Sequence, residues 1–161
     1  MAKKPPTEQQ LFKEALNRTV GDAAKVNKAL KMLRADRFQL YVDADEEQIV
    51  GVVKSQNDPS LVYSCRITHE GEYSCCTQNL NVCGGLRGSV CKHILVLTIG
   101  LVQGKALSSA AALAWLKATG TKRAVLDKDA AGEVFIKYKG AEAGEVDWRP
   151  TETLPEDFYA F

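Results

Sequence analysis

The spacing of apolar residues changes twice along the chain, and each change marks a different kind of element. Leu11, Phe12, Ala15 and Leu16 fall on one helical face, behind a Thr7…Gln10 pair with capping-box spacing. The stripe stalls at Thr19-Val20-Gly21. It resumes behind Asp22, a good cap, as Ala23, Val26, Ala29, Leu30 and Leu33, which predicts two helices or one kinked helix over about 8–35. From Phe38 the segments FQLYVDAD (38–45), QIVGVVKSQ (48–56), LVYSCRIT (61–68) and EYSCCTQ (72–78) are rich in Val, Ile and Tyr. Acidic, Asn-Asp-Pro and Glu-Gly punctuation separates them, so they read as an antiparallel meander of about four strands. THEGEY (68–73) reads as a hairpin turn in which Gly71 can take a positive φ. An apolar helix is expected over about 91–103, stopped by Gly104, and a second from Ser108 or Ser109 to Gly120. GEVFIKYKG (132–140) reads as one more strand. The expected class is α+β: N-terminal helices (1–36), a core with the meander, a cysteine-bearing hairpin and helices (37–126), and a strand with an extended tail (127–161).

Composition narrows this picture without changing it. At 161 residues, 45% of them hydrophobic and 25% charged, the chain is long enough for one globular core with decorated edges. The longest apolar run, Ile94 to Val102, is nine residues, too few for a helical membrane span. MAKKPPTEQQ has no apolar stretch behind it, so no secretory signal is read and a cytoplasmic address is expected, with cysteines reduced. Charge is uneven: residues 1–37 hold nine Lys/Arg against four Asp/Glu, a balance of +5, and residues 127–161 hold four against nine, a balance of −5. Lys25, Lys28, Lys31 and Arg34 lie on neighbouring positions of one helical face, which a solvated surface explains as well as a binding one. Asp43, Asp45, Glu46 and Glu47 sit at a strand end and read as a solvated turn. The tail carries Trp148, Phe158, Tyr159 and Phe161, costly groups to leave in water, so it is expected to wrap this domain or dock on a partner.

The chemistry concentrates in CCTQNLNVCGGLRGSVCKH (75–93), which holds four of five cysteines and one of two histidines. Structural zinc takes four tetrahedral nitrogen or sulfur ligands, usually as short-spaced pairs. Cys91-Lys92-His93 is one such pair at a helix entry, and Cys83, followed by Gly84-Gly85, is a good third ligand. Cys75 and Cys76 are adjacent on a strand and point to opposite faces, so one of them at most faces the ion. A two- or four-residue turn after Thr68 puts Cys76 on the face of Cys65; a three-residue turn closed by Gly71 puts Cys75 there. The expected set is Cys76, Cys83, Cys91 and His93, with Cys75 as the alternate to Cys76. Cys65 is then a buried small hydrophobe or a spare ligand, and His69 a solvated loop histidine. A nucleophilic pair would need an orienting third group, and a thioredoxin-like site would need Cys-x-x-Cys; neither is present. No phosphate loop or nucleophile elbow is found, so no enzymatic activity is expected.

Cys91-Lys92-His93 with ILVL behind it, preceded by a cysteine-bearing hairpin, resembles the SWIM zinc finger, whose pattern is Cys-x-Cys followed after a gap by Cys-x-His. The resemblance covers about residues 60–104, and the first half departs from it: Cys75-Cys76 and then Cys83 stand where Cys-x-Cys is expected. The whole chain looks like small stand-alone bacterial SWIM proteins, some encoded near MoxR-type ATPases and von Willebrand A-domain proteins. The resemblance implies a zinc cofactor and a role in protein or DNA binding. Two readings follow: an adaptor engaging a protein partner through the aromatic tail, and a nucleic-acid-binding finger using Arg66, Arg87 and Lys92. The pI of about 7.6 favours the first.

Overall fold

The computed structural model describes residues 4–35, 38–86 and 88–142. The capping box forms as expected: the Thr7 amide donates to Gln10 Oε1 (2.9 Å) and the Gln10 amide to Thr7 Oγ1 (3.1 Å), opening α1 (Glu8–Val20). Gly21, at φ 74°, ends α1 in the left-handed conformation, and Asp22 Oδ1 accepts the Lys25 amide to open α2 (Ala23–Ala35). The N-terminal stripe is therefore two capped helices rather than one bent one.

Strands β1 (Gln39–Ala44), β2 (Gln48–Lys54), β3 (Val62–Thr68) and β4 (Tyr73–Thr77) form an antiparallel sheet in the order β1-β2-β3-β4. Side chains alternate across it. Ile49, Val53, Cys65, Ile67, Tyr73 and Cys75 enter the main core, while Tyr41, Val50 and Val52 enter a second, smaller one on the opposite face. The main core is filled by α3 (Lys92–Gln103), which lies across the sheet and is flanked by α2 and by α4 (Ser109–Thr119), with α1 packed on both α2 and α4. α3 is buried from His93 through Ile99. It comes close to the sheet at Gly51, where a Cβ would meet the Tyr41 carbonyl oxygen and stand 2.8 Å from a Leu97 methyl.

The strand expected at 132–140 is a helix, α5 (Lys128–Glu142), which covers the second face of the sheet. Val134, Ile136 and Tyr138 alternate like a strand, but Ala131, Val134, Phe135 and Tyr138 also lie at helical spacing; Ala131 is buried, and Val134, Phe135 and Tyr138 join the second core with Tyr41, Val50 and Val52. Asp127 Oδ1 accepts the Ala130 amide (3.0 Å) and opens the helix, leaving Ile136 72% exposed. The acidic aromatic tail expected after it lies outside the described residues.

Gly51→Ala forces a methyl into the contact between β2 and α3. It is expected to lower unfolding free energy by about 1–3 kcal/mol, seen as an earlier urea midpoint with an unchanged denaturant slope.

Candidate metal centre

Cys75, Cys83, Cys91 and His93 converge from three elements. β4 presents Cys75 to the main core. The chain then reverses: Leu80 sits at φ 63°, its amide donates to the Thr77 carbonyl, and the Thr77 amide donates to the Asn81 carbonyl. The returning strand pairs with β4, and the Cys83 amide donates to the Cys75 carbonyl at 2.9 Å, which sets the two thiols side by side. A short 3-10 turn, Gly84–Leu86, closes over them. A Cβ at Gly85 would stand 3.2 Å from Cys91 Cβ and 3.7 Å from Cys83 Sγ, so the glycine supplies room for that closure. Cys91 is the N-cap of α3, but its side chain takes no capping hydrogen bond, which leaves the sulfur free to turn inward; His93 follows in the first helical turn.

The four candidate ligand atoms all lie within 4.8 Å of one another, and all four residues are buried. His93 turns Nδ1 toward the sulfurs, 3.5 Å from Cys83 Sγ and 3.9 Å from Cys75 Sγ. Its ring lies flat on Tyr63, with centroids 3.9 Å apart and planes 17° off parallel. Its Nε2 is buried and has no hydrogen-bond partner among the described residues, so the ring is held by stacking and by the contacts of Nδ1 with the sulfurs. One ion could touch all four residues.

Electrostatics point the same way. Burial pushes the thiols of Cys75 and Cys91 far up, as expected when a charge must form away from water. Cys83 is held far down, by hydrogen bonds from Cys75 and Cys91 first and from His93 after them. Cys83 is thus the sulfur on which the other three groups favour a negative charge. A cation at its centre would reverse the penalty on Cys75 and Cys91, because coordination deprotonates a thiol outright.

The expected set is corrected at one position: Cys75 joins the cluster and Cys76 does not. The hairpin pairs Cys65 with Cys75 and Ser64 with Cys76. The Thr68 amide donates to the Glu72 carbonyl, so the turn is the three-residue form, 69–71, with Gly71 at φ 98°. That parity sends Cys76 to the sheet face of Ser64, whose hydroxyl donates to the Ala131 carbonyl of α5. Gly71 is needed twice over, for its positive φ and because a Cβ there would strike the Ala118 carbonyl at the end of α4. Cys76 is fully buried, and its thiol is pushed up to about 11 by burial and by Cys65.

Of the other candidates, Arg66 and Lys92 are half-buried and lie outside the cluster. Arg66 points along the sheet and donates from Nε to Gln48 Oε1 (3.0 Å). Lys92 donates to Gln56 Oε1 (3.0 Å), and its pKa is lowered by burial and then by the charge of Lys28, so α2 and the start of α3 bring two cations together. Lys25 reaches the same region and donates to Ser89 Oγ (2.8 Å). Arg87 and the tail residues Trp148, Phe158, Tyr159 and Phe161 lie outside the described residues. His69 is an exposed turn residue set edge-on to Trp115. In the acidic turn, Asp45 Oδ1 accepts the Glu47 and Gln48 amides, a structural task. Two further residues support the cluster: Tyr63 under His93, which strand alternation puts on the face of Cys65, and Gly85 beside Cys91, one of the two glycines that follow Cys83.

No family model matches the chain, and comparison with curated proteins and with solved structures finds no match.

The two adjacent cysteines are separable by experiment. Cys75→Ser is expected to abolish stoichiometric metal binding, measured by elemental analysis after gel filtration, whereas Cys76→Ser keeps the metal and loses only packing stability. Metal retained by the first variant and lost by the second would reverse the assignment.

Proposed function

We propose that this chain is a zinc-stapled interaction module, SWIM-like in its second ligand pair, in which the ion is structural and the activity is binding a protein partner. The observation that carries the zinc reading is the spacing around His93. Zinc–sulfur bonds of about 2.3 Å and a zinc–nitrogen bond of about 2.05 Å in a tetrahedron imply a sulfur–nitrogen edge of roughly 3.6 Å. The separations of 3.5 and 3.9 Å bracket that value. Three thiols and one imidazole are the donor set of structural zinc, and four protein ligands leave no coordination position for water or substrate. We therefore assign the ion a clamping role, joining β4 and its returning strand to the first turn of α3, and we assign the protein no catalytic activity. Cys91-Lys92-His93 with the apolar helix behind it matches the Cys-x-His half of the SWIM pattern. Cys75 and Cys83 replace its Cys-x-Cys half with a pair brought together by strand pairing.

The partner surface we assign to the acidic aromatic segment after residue 147, with Trp148, Phe158, Tyr159 and Phe161 as anchors. Aromatic anchors with an acidic surround suit a basic-rimmed pocket on another protein, and a MoxR-type ATPase or a von Willebrand A-domain protein is the class that the resemblance offers. A second reading, nucleic-acid binding, draws support from the approach of Lys28 to Lys92 beside the cluster, with Lys25 nearby.

Elemental analysis of the purified chain is expected to give one zinc per molecule, and a strong chelator is expected to lower Tm. The effect grows as pH falls because protons compete for the thiolates. Absence of bound metal, with full thermal stability, would overturn the zinc reading. A pull-down with the full chain and with a chain ending before Trp148 is expected to lose its specific partners in the shorter form. Duplex or single-stranded DNA binding whose affinity drops steeply with salt would favour the second reading instead.

A further inference from the structure

Cys65, like Cys76, has no part in the four-residue set, yet it stands against one of its members. Cys65 Sγ lies 3.5 Å from Cys75 Sγ, both side chains are about 1% exposed, and the two residues are directly opposite each other on β3 and β4. The Cys75 carbonyl accepts the Cys83 amide, on the side of β4 away from β3. Cys65 and Cys75 therefore face each other as a non-hydrogen-bonded pair, in which Cα atoms of neighbouring antiparallel strands approach to about 4.5 Å. That falls within the roughly 4.4–6.8 Å span that a disulfide bridges. Closing the bond needs the sulfurs to move from 3.5 Å to about 2.05 Å, a side-chain rotation with the backbone left in register. Cys75 cannot make that rotation and remain a ligand.

We infer that Cys65 and Cys75 are a redox modification site, a disulfide pair whose closure withdraws one ligand and releases the metal. The oxidant class is a peroxide. The Cys75 thiolate, the Cys65 thiol, one hydrogen peroxide and one proton give the Cys65–Cys75 bond and two waters; the two sulfurs lose two electrons and the peroxide gains them. Cys83 is the point of entry, because it lines an open groove with Val82, Leu86, Lys122 and Arg123. Oxygen transfer to Cys83 gives a sulfenic acid and one water, and Cys75 condenses with it, expelling the second water. Cys65 then attacks Cys75, freeing the Cys83 thiolate and reaching the same end state. A dithiol reduces the bond by thiol–disulfide exchange and restores the pair. Metal release rests on the zinc reading above; formation of the bond does not.

The test uses the full chain loaded with zinc and treated with hydrogen peroxide. Released zinc is followed with a chromogenic chelator, and linkage is read by peptide mass spectrometry. The expected result is loss of the zinc together with a Cys65–Cys75 linked peptide, both reversed by dithiothreitol and added zinc. Cys65→Ala and Cys65→Ser are expected to bind zinc as the unmodified chain does and to release it several-fold more slowly. Equal release rates in those variants, or end-point linkages that omit Cys65, would overturn the inference. If the unmodified chain takes up no zinc, the metal reading fails on its own. The linked peptide is then sought in the metal-free chain, where its presence upholds the pair and its absence overturns it. Should either variant fail to fold, the linkage map of the unmodified chain decides alone.

Discussion

A helix with no face for water is the constraint on which the rest of the structure depends. α3 is buried at every position from His93 through Ile99, and such a helix must be covered on all sides. The sheet supplies one wall, α2 and α4 supply the flanks, and Gly51 lets the helix settle onto β2. Within the run, Thr98 satisfies its hydroxyl by donating to the Ile94 carbonyl (2.9 Å). His93 and Cys91 are the harder groups to bury. They enter the core at the helix N-terminus, where the peptide dipoles favour negative charge, and they meet the two thiols that could share an ion with them. The place where the chain dives into its core is also the place where the polar cost of doing so is gathered and can be neutralised.

Much of this was legible because periodicity is legible. The N-terminal stripe, the four strand-like runs and the two later helices are expressed in spacings of 3.6 and 2, and their caps, Thr7, Asp22 and Ser108, hold the hydrogen bonds that their chemistry implies. α5 was misread for a physical reason. Val134, Ile136 and Tyr138 satisfy the strand period as well as Ala131, Val134, Phe135 and Tyr138 satisfy the helical one, and only the second face of the sheet decides between them. That face exists because β2 is apolar on both sides, Ile49 and Val53 on one and Val50 and Val52 on the other. A strand apolar on both sides implies a third layer.

The candidate metal centre was legible in three positions of four. Cys83, Cys91 and His93 are marked by their neighbours: glycines after the first, an apolar helix after the others. The choice between Cys75 and Cys76 depends on turn length, a property of backbone conformation that composition does not encode. Gly71 permits both kinds of turn, and the Ala118 carbonyl packed against it belongs to a helix almost fifty residues away in sequence. Local sequence leaves the parity open and a distant contact closes it. The same parity sets Cys65 opposite Cys75.

The hairpin that carries Cys75 is stitched to the chain that comes after α4 on both of its strands: the Val125 amide donates to the Tyr73 carbonyl, and the Ser64 hydroxyl donates to the Ala131 carbonyl. The consequence concerns modularity. Metal fingers strung along a chain can be copied, moved or trimmed, because each contains its own walls. Here the helices around the cluster are α2 and α4, with α5 backing the other face of the sheet, and they lie on either side of the cysteine-bearing segment in the chain order. Cut out at residues 60–104, the four cluster residues would keep their order and lose their enclosure. As a unit of inheritance or of engineering, the cysteine–histidine cluster is indivisible from the domain around it.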